Sequence, residues 1–125
     1  MKYLGIDFGL RRIGLATSDG ELASPLNTIH VKGFKDAVGN VLDLLKQNKF
    51  DKIVVGLPEG KMGKTVLGFI RALKKEGWDV EYADETLSSQ KALQQMVELN
   101  IPQKKRHFND EIAAAIILQN YLDSR

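Results

Sequence analysis

The first thirty residues hold short β-prone runs, and the rest of the chain switches to helical spacing interrupted by two more strands. YLGIDF and RIGLATS are separated by GLR, a turn-sized gap containing Gly9, and PLNTIHV follows as a third strand. Joints this short predict an antiparallel meander. From Phe34 to about Lys49, the residues Val38, Val41, Leu42 and Leu45 recur at i, i+3, i+4 and i+7, one face of a helix. KIVVGLP is a continuous apolar strand of the kind buried on both faces. Val66, Phe69, Ile70 and Leu73 then repeat the helical spacing, with Gly77 as a stop. DVEYADE predicts a fifth strand. Leu87 to Leu99 predicts a helix with Leu93, Met96 and Val97 inward, and Pro102 blocks its continuation. From about Asn109 to Leu122 the chain is apolar nearly all round, which predicts a well-buried last helix.

The order βββαβαβαα implies parallel pairing between strands that helices separate, after the antiparallel start. The expected fold is therefore α/β: a mixed five-stranded sheet with helices on its faces. Its first strand is expected at the centre, with the fourth and fifth beside it. No repeat, linker or low-complexity tract divides the chain, so residues 1–125 are expected to form a single domain. Composition agrees, with 43% hydrophobic and 27% charged residues. A net charge of +2 does not by itself single out a nucleic-acid binder. The absence of cysteine excludes disulfides and thiolate metal sites and suits a reducing cytosol. MKYLGIDFG lacks the apolar core of a signal peptide, and IAAAIIL is too short to cross a bilayer. A cytoplasmic protein without a membrane span is expected.

The carboxylates change this bland picture. Asp7 sits among Leu4, Ile6 and Phe8 in the first strand, Asp84 and Glu85 end the last strand, and Asp110 opens the last helix. In the expected sheet, the end of the fifth strand and the start of the last helix converge on Asp7. Clustered carboxylates repel and are costly to desolvate. A divalent cation removes the conflict, and hard oxygen ligands suit magnesium or manganese. Each acid also has an ordinary reading. Asp7 can be satisfied by backbone donors or an arginine, and Asp84 and Glu85 can be a solvated strand end. Asp110 can offset a helix dipole behind an Asn109 cap.

Basic residues lie near these acids in sequence. Arg11 and Arg12, in the first turn, are suited to paired hydrogen bonds with phosphate, or to a solvated hairpin tip. GLPEGKMGKT places Lys61 and Lys64 between a strand and a helix, a natural anion seat. It nearly matches a Walker A loop, but Pro58 stands where the first glycine belongs. Lys104, Lys105 and Arg106 form a basic run that can track a nucleic-acid backbone or lie in a solvated loop. His30 and His107 have no evident ligand partner.

GIDFGLRRIGLATSD, VVGLP, YADET and DEIAAAIILQNYLD occur in the order and spacing of the YqgF family, also called RuvX, which the chain resembles over nearly its whole length. That family resembles Holliday junction resolvases. The resemblance implies a ribonuclease H-like fold and a metal-dependent nuclease that matures the 5′ end of 16S ribosomal RNA. It maps the acidic site onto Asp7, Glu85 and Asp110, with Asp84 as a further metal candidate from the residues themselves. The implied cofactor is Mg2+ or Mn2+. The implied partner is structured RNA, with branched DNA as the alternative, together with ribosomal precursor particles. The protein would act as a monomer or homodimer. A nucleotide-binding module and a non-catalytic RNA-binding module are the readings of other classes. Where the family usually has an Arg and a Thr-Thr pair, this chain has Leu87, Ser88 and Ser89.

Overall fold

The YLGID run becomes strand β1 (Tyr3–Asp7), whose first four residues are buried. This is the signature of a strand covered on both faces. In a computed structural model, which describes residues 1–58, 60–84 and 110–125, β1 is the middle strand of five. β2 (Arg12–Ser18) pairs with it antiparallel, and β3 (Ala23–His30) continues the meander. Helix α1 (Phe34–Gln47) leads to β4 (Lys52–Leu57), which runs parallel to β1. Helix α2 (Lys61–Lys75) leads to β5 (Val80–Asp84), parallel to β4, and α3 (Asp110–Asp123) closes the chain. The strand order is β3-β2-β1-β4-β5, so β5 reaches the central strand only across β4. The predicted helix over 87–99 lies outside the described residues.

Strand alternation divides the core in two. Leu4, Ile6, Ile13, Leu15, Ile53 and Val55 face α1 and α2, where they meet Val41, Leu45, Val66, Phe69 and Leu73. Phe8 extends this layer, with its ring centroid 4.6 Å from that of Phe69. Tyr3, Ala16 and Val54 face the other way, onto Ala114, Ala115, Ile117, Leu118 and Leu122 of α3. Asp7 follows Tyr3 and Gly5 in the alternation and therefore points to the α3 side.

Helix α3 approaches the sheet unusually closely. A Cβ at Gly5 would lie 2.8 Å from Leu118 Cβ and 3.0 Å from the Ala114 carbonyl oxygen, so only glycine fits beneath the helix there. Its C-terminal half is tied down on both flanks. The Ala23 amide donates to Gln119 Oε1 (2.8 Å), and Gln119 Nε2 donates to the Glu21 carbonyl (3.0 Å). On the other flank the Tyr121 hydroxyl donates to Glu81, and the Lys52 ammonium stands 3.5 Å from Glu81 and 3.6 Å from Asp79. β3 is an edge strand, largely exposed, and Pro25 sits beside the register shift at Leu15/Ala16, which spoils the edge for further pairing. Among the described residues no helix is long and apolar enough to cross a membrane.

The Tyr121 hydrogen bond, aided by Lys52 and opposed by partial desolvation, holds the Glu81 carboxyl below its ordinary value of 4.5. A depressed folded value stabilises the protein above the ordinary value, and that contribution is lost as pH falls through the folded one. Tyr121→Phe should therefore destabilise the protein at about pH 6 and do so progressively less towards about pH 3. Thermal melts of both proteins across that range measure the closing gap. A gap that stays constant would mean the hydroxyl acts independently of Glu81.

Candidate active site

Asp7 is the last residue of β1 rather than a mid-strand residue, because pairing with β2 stops at Asp7↔Gly14 and the chain turns through residues 8–11. Its half-buried carboxylate thus stands at the mouth of the sheet, at the C-terminal edge shared by the parallel strands β1, β4 and β5. Asp110 arrives from the opposite end of the chain. A Cβ built on Gly14 would lie 2.0 Å from the Asp110 carbonyl oxygen and 2.8 Å from Asp110 Cβ. The first residue of α3 therefore rests directly on β2, at the register position paired with Asp7. Asp110, Ala114 and Leu118 form one i, i+4, i+8 stripe of α3 lying over Gly14 and Gly5.

Asp7 and Asp110 line one cleft of about 270 Å³, together with Phe8, Gly9, Leu10, Arg11 and Arg12. Arg12 Nε stands 3.4 Å from Asp110 Oδ2, and the two side chains are 43% and 26% exposed. The contact lacks hydrogen-bond geometry: Asp110 Oδ2 is buried and makes no hydrogen bond among the described residues. A pair whose cation is this exposed and which lacks hydrogen-bond geometry contributes about 0–1 kcal/mol. Glu111, the next acid of the same helical turn, differs, because Thr28 Oγ1 donates to it from β3. Both acids complement the helix dipole, yet among the described residues only Glu111 has a hydroxyl partner of this kind. Asp110, which lines the cleft, is left with an oxygen that has no hydrogen-bond donor among the described residues, the property expected of a ligand for a hard cation.

The other sequence candidates divide. Arg11 lines the cleft, and its carbonyl accepts from the Val31 amide (2.9 Å), which secures the turn. Arg12 is the first residue of β2 rather than part of the turn. Lys61 and Lys64 are exposed in the first turn of α2, at the same sheet edge because α2 begins where β4 ends, but they do not line the cleft. Asp84 ends β5 in register with Leu57, two strand spacings of about 4.8 Å from β1. Glu85, Lys104, Lys105 and Arg106 lie outside the described residues. Two of the three expected acids thus line one cleft in the described structure. A larger hollow of about 720 Å³, lined by residues such as Lys2, Asp19 and Asp51, opens by the β2–β3 turn, away from Asp7 and Asp110.

Sequence reasoning missed Gly5 and Gly14, the residues that bring the acids together. The available signal was a glycine inside each of two otherwise β-prone runs, which flags close approach of another backbone.

A central antiparallel meander extended by parallel strands, with helices packed on both faces, is a ribonuclease H-like fold. Solved structures agree on the fold. Thermus thermophilus RuvC in complex with a Holliday junction substrate superposes with a TM-score of 0.63 at 21% identity, over 100% of this chain and 95% of that one. The fowlpox virus resolvase in complex with Holliday junction DNA gives 0.64 at 15% identity, over 99% and 98% of the two chains.

Residues 1–124 match the family described as RuvX, Holliday junction resolvase, and the chain belongs to that family. A relative from Clostridioides difficile (strain 630), named "Putative pre-16S rRNA nuclease", is 37% identical over 98% of this chain and 94% of its own. One from Clostridium novyi (strain NT) with the same name is 36% identical over 99% of each.

The glycine contact makes a prediction with opposite signs at two sites. Gly14→Ala should destabilise the fold by about 1–3 kcal/mol through overpacking. Gly39→Ala, in α1 with nothing within 4 Å of the added Cβ, should be neutral or stabilising by up to about 1 kcal/mol. Urea midpoints of the two variants check this, and equal effects would contradict the packing of α3 on β2.

Proposed function

We propose that this chain is a metal-dependent nuclease, one ribonuclease H-like domain over residues 1–125, that hydrolyses phosphodiester bonds in structured RNA. Its proposed substrate is the precursor of 16S ribosomal RNA, cut at the 5′ end in the cytoplasm during ribosome biogenesis. The observation that carries the reading is Asp110, whose buried Oδ2 makes no hydrogen bond among the described residues, lining one cleft with Asp7, Arg11 and Arg12. Membership of the RuvX family and the names of the relatives support the same reaction class.

In this proposal Asp7, Glu85 and Asp110 hold Mg2+ or Mn2+, and Asp84 is a further candidate ligand. The oxygen-only donor set fits such an ion, and the Asp110 oxygen that lacks a donor among the described residues is available to it. When bound, the metal lowers the pKa of water and offsets charge on the leaving oxygen. The chain's own residues do the rest. Asp7 and Asp110 present negative charge at a fixed separation on β1 and α3. Arg11 and Arg12 grip non-bridging phosphate oxygens through paired N–H donors. Lys61 and Lys64, at the same sheet edge, extend the positive path for the strand, and Lys104, Lys105 and Arg106 add to it. In-line attack by water leaves a 5′-phosphate and a 3′-hydroxyl.

Millimolar Mg2+ or Mn2+ should raise the melting temperature of the wild type, and Asp7→Asn should remove the increase. A wild type indifferent to either ion would sink the metal site. Precursor RNA should be cut in a metal-dependent manner, and Asp7→Asn and Glu85→Gln should each reduce the rate by at least about 100-fold, the order expected when a group acting on the transition state is lost. Undiminished cutting by both variants would assign the activity to other residues or to a contaminant. A four-way DNA junction assayed alongside separates the two substrates. Preference for the junction would favour a resolvase acting as a dimer, while binding without cutting of either would leave a non-catalytic RNA-binding module.

A further inference from the structure

Arg12 stands where a cation would have to come. Its Nε is 3.4 Å from Asp110 Oδ2, and that oxygen is buried without a hydrogen bond among the described residues. We propose that Arg12 is a displaceable counter-ion: it holds Asp110 in the cation-free enzyme, leaves when a divalent cation binds, and is thereby released onto substrate phosphate. The inference rests on the nuclease reading above and adds a coupling between metal and nucleic acid at that site.

Three observations support it. The backbone of Arg12 is fixed, since it pairs with His30 across the sheet and the preceding carbonyl accepts from the Val31 amide. The side chain is not: it is 43% exposed on a long stem, so it can swing without moving the strand. The contact to Asp110 is coulombic and lacks hydrogen-bond alignment, which makes it easy to exchange. A guanidinium and a divalent cation would repel each other at one carboxylate, so the two would compete for that oxygen. A phosphate that draws Arg12 away from Asp110 therefore favours the cation, and the cation favours the phosphate, because coupling between two ligands is reciprocal.

Arg11 is the internal control. It lines the same cleft and carries the same charge, but no ion pair joins it to Asp110. Mn2+ binding, titrated by electron paramagnetic resonance on wild type, Arg12→Gln, Arg12→Lys and Arg11→Gln without nucleic acid, tests the idea. Arg12→Gln should bind Mn2+ about 3–10-fold more tightly than wild type, the size expected for removing one nearby, partly screened charge. Arg11→Gln should change affinity by less than about twofold, and Arg12→Lys should fall between wild type and Arg12→Gln. Adding a short single-stranded RNA in the presence of Mn2+ should show the opposite ranking for Arg12→Gln, with RNA bound more weakly than by wild type. Wild-type Mn2+ binding left unchanged by Arg12→Gln, or tightened equally by Arg11→Gln, would overturn the counter-ion while leaving the nuclease site intact. No Mn2+ binding by any of the four proteins would instead overturn the nuclease site itself, and the counter-ion with it.

Discussion

The close seating of α3 on two glycines is the constraint on which the rest depends. Gly14 and Gly5 lie beneath Asp110, Ala114 and Leu118, and neither position has room for a Cβ. A helix held at ordinary distance by alanines would lift its first residue off β2, and Asp110 would no longer share a cleft with Asp7. Burial of Ala114, Ala115, Ile117 and Leu118 provides the apolar driving force for this seating. The polar ties of Gln119 and Tyr121 at the far end set the direction in which the helix runs. Packing at one end of the helix and placement of an acid at the other are thus one event.

Local electrostatics then separate acids that look equivalent on paper. Asp110 and Glu111 open the same helix and both complement its dipole. Glu111 is taken up by the Thr28 hydroxyl and serves to attach α3 to β3. Asp110 keeps a buried oxygen without a hydrogen bond among the described residues and a weak, half-exposed arginine beside it. An arrangement built only for stability would have closed that position with a donor, since an unsatisfied buried acceptor is destabilising. Open valence at this point is what links the fold to the proposed chemistry.

Most of the architecture was legible because each element carries a single period. RIGLATS is strand β2 residue for residue, Val66, Phe69, Ile70 and Leu73 are the buried face of α2, and the all-round apolar segment is the buried α3. The same pattern misjudged Asp7, which ends its strand, because strand length depends on where the partner strand stops pairing. It also set β5 beside β1, although β4 lies between them. Neither fact leaves a trace in local periodicity.

By itself the sequence determined the kind and order of the elements among the described residues, the parallel and antiparallel senses of their strands, and the residue types available for chemistry. These follow from side-chain period, turn length and composition, all of which act over a few neighbouring residues. Only the tertiary structure decided that positions 7 and 110 share a cleft, that Gly14 is the reason, and that among the described residues Asp110 rather than Glu111 is left without a hydroxyl partner. Those outcomes depend on atoms a hundred residues apart coming within contact distance, and contact at that range is set by how whole faces pack.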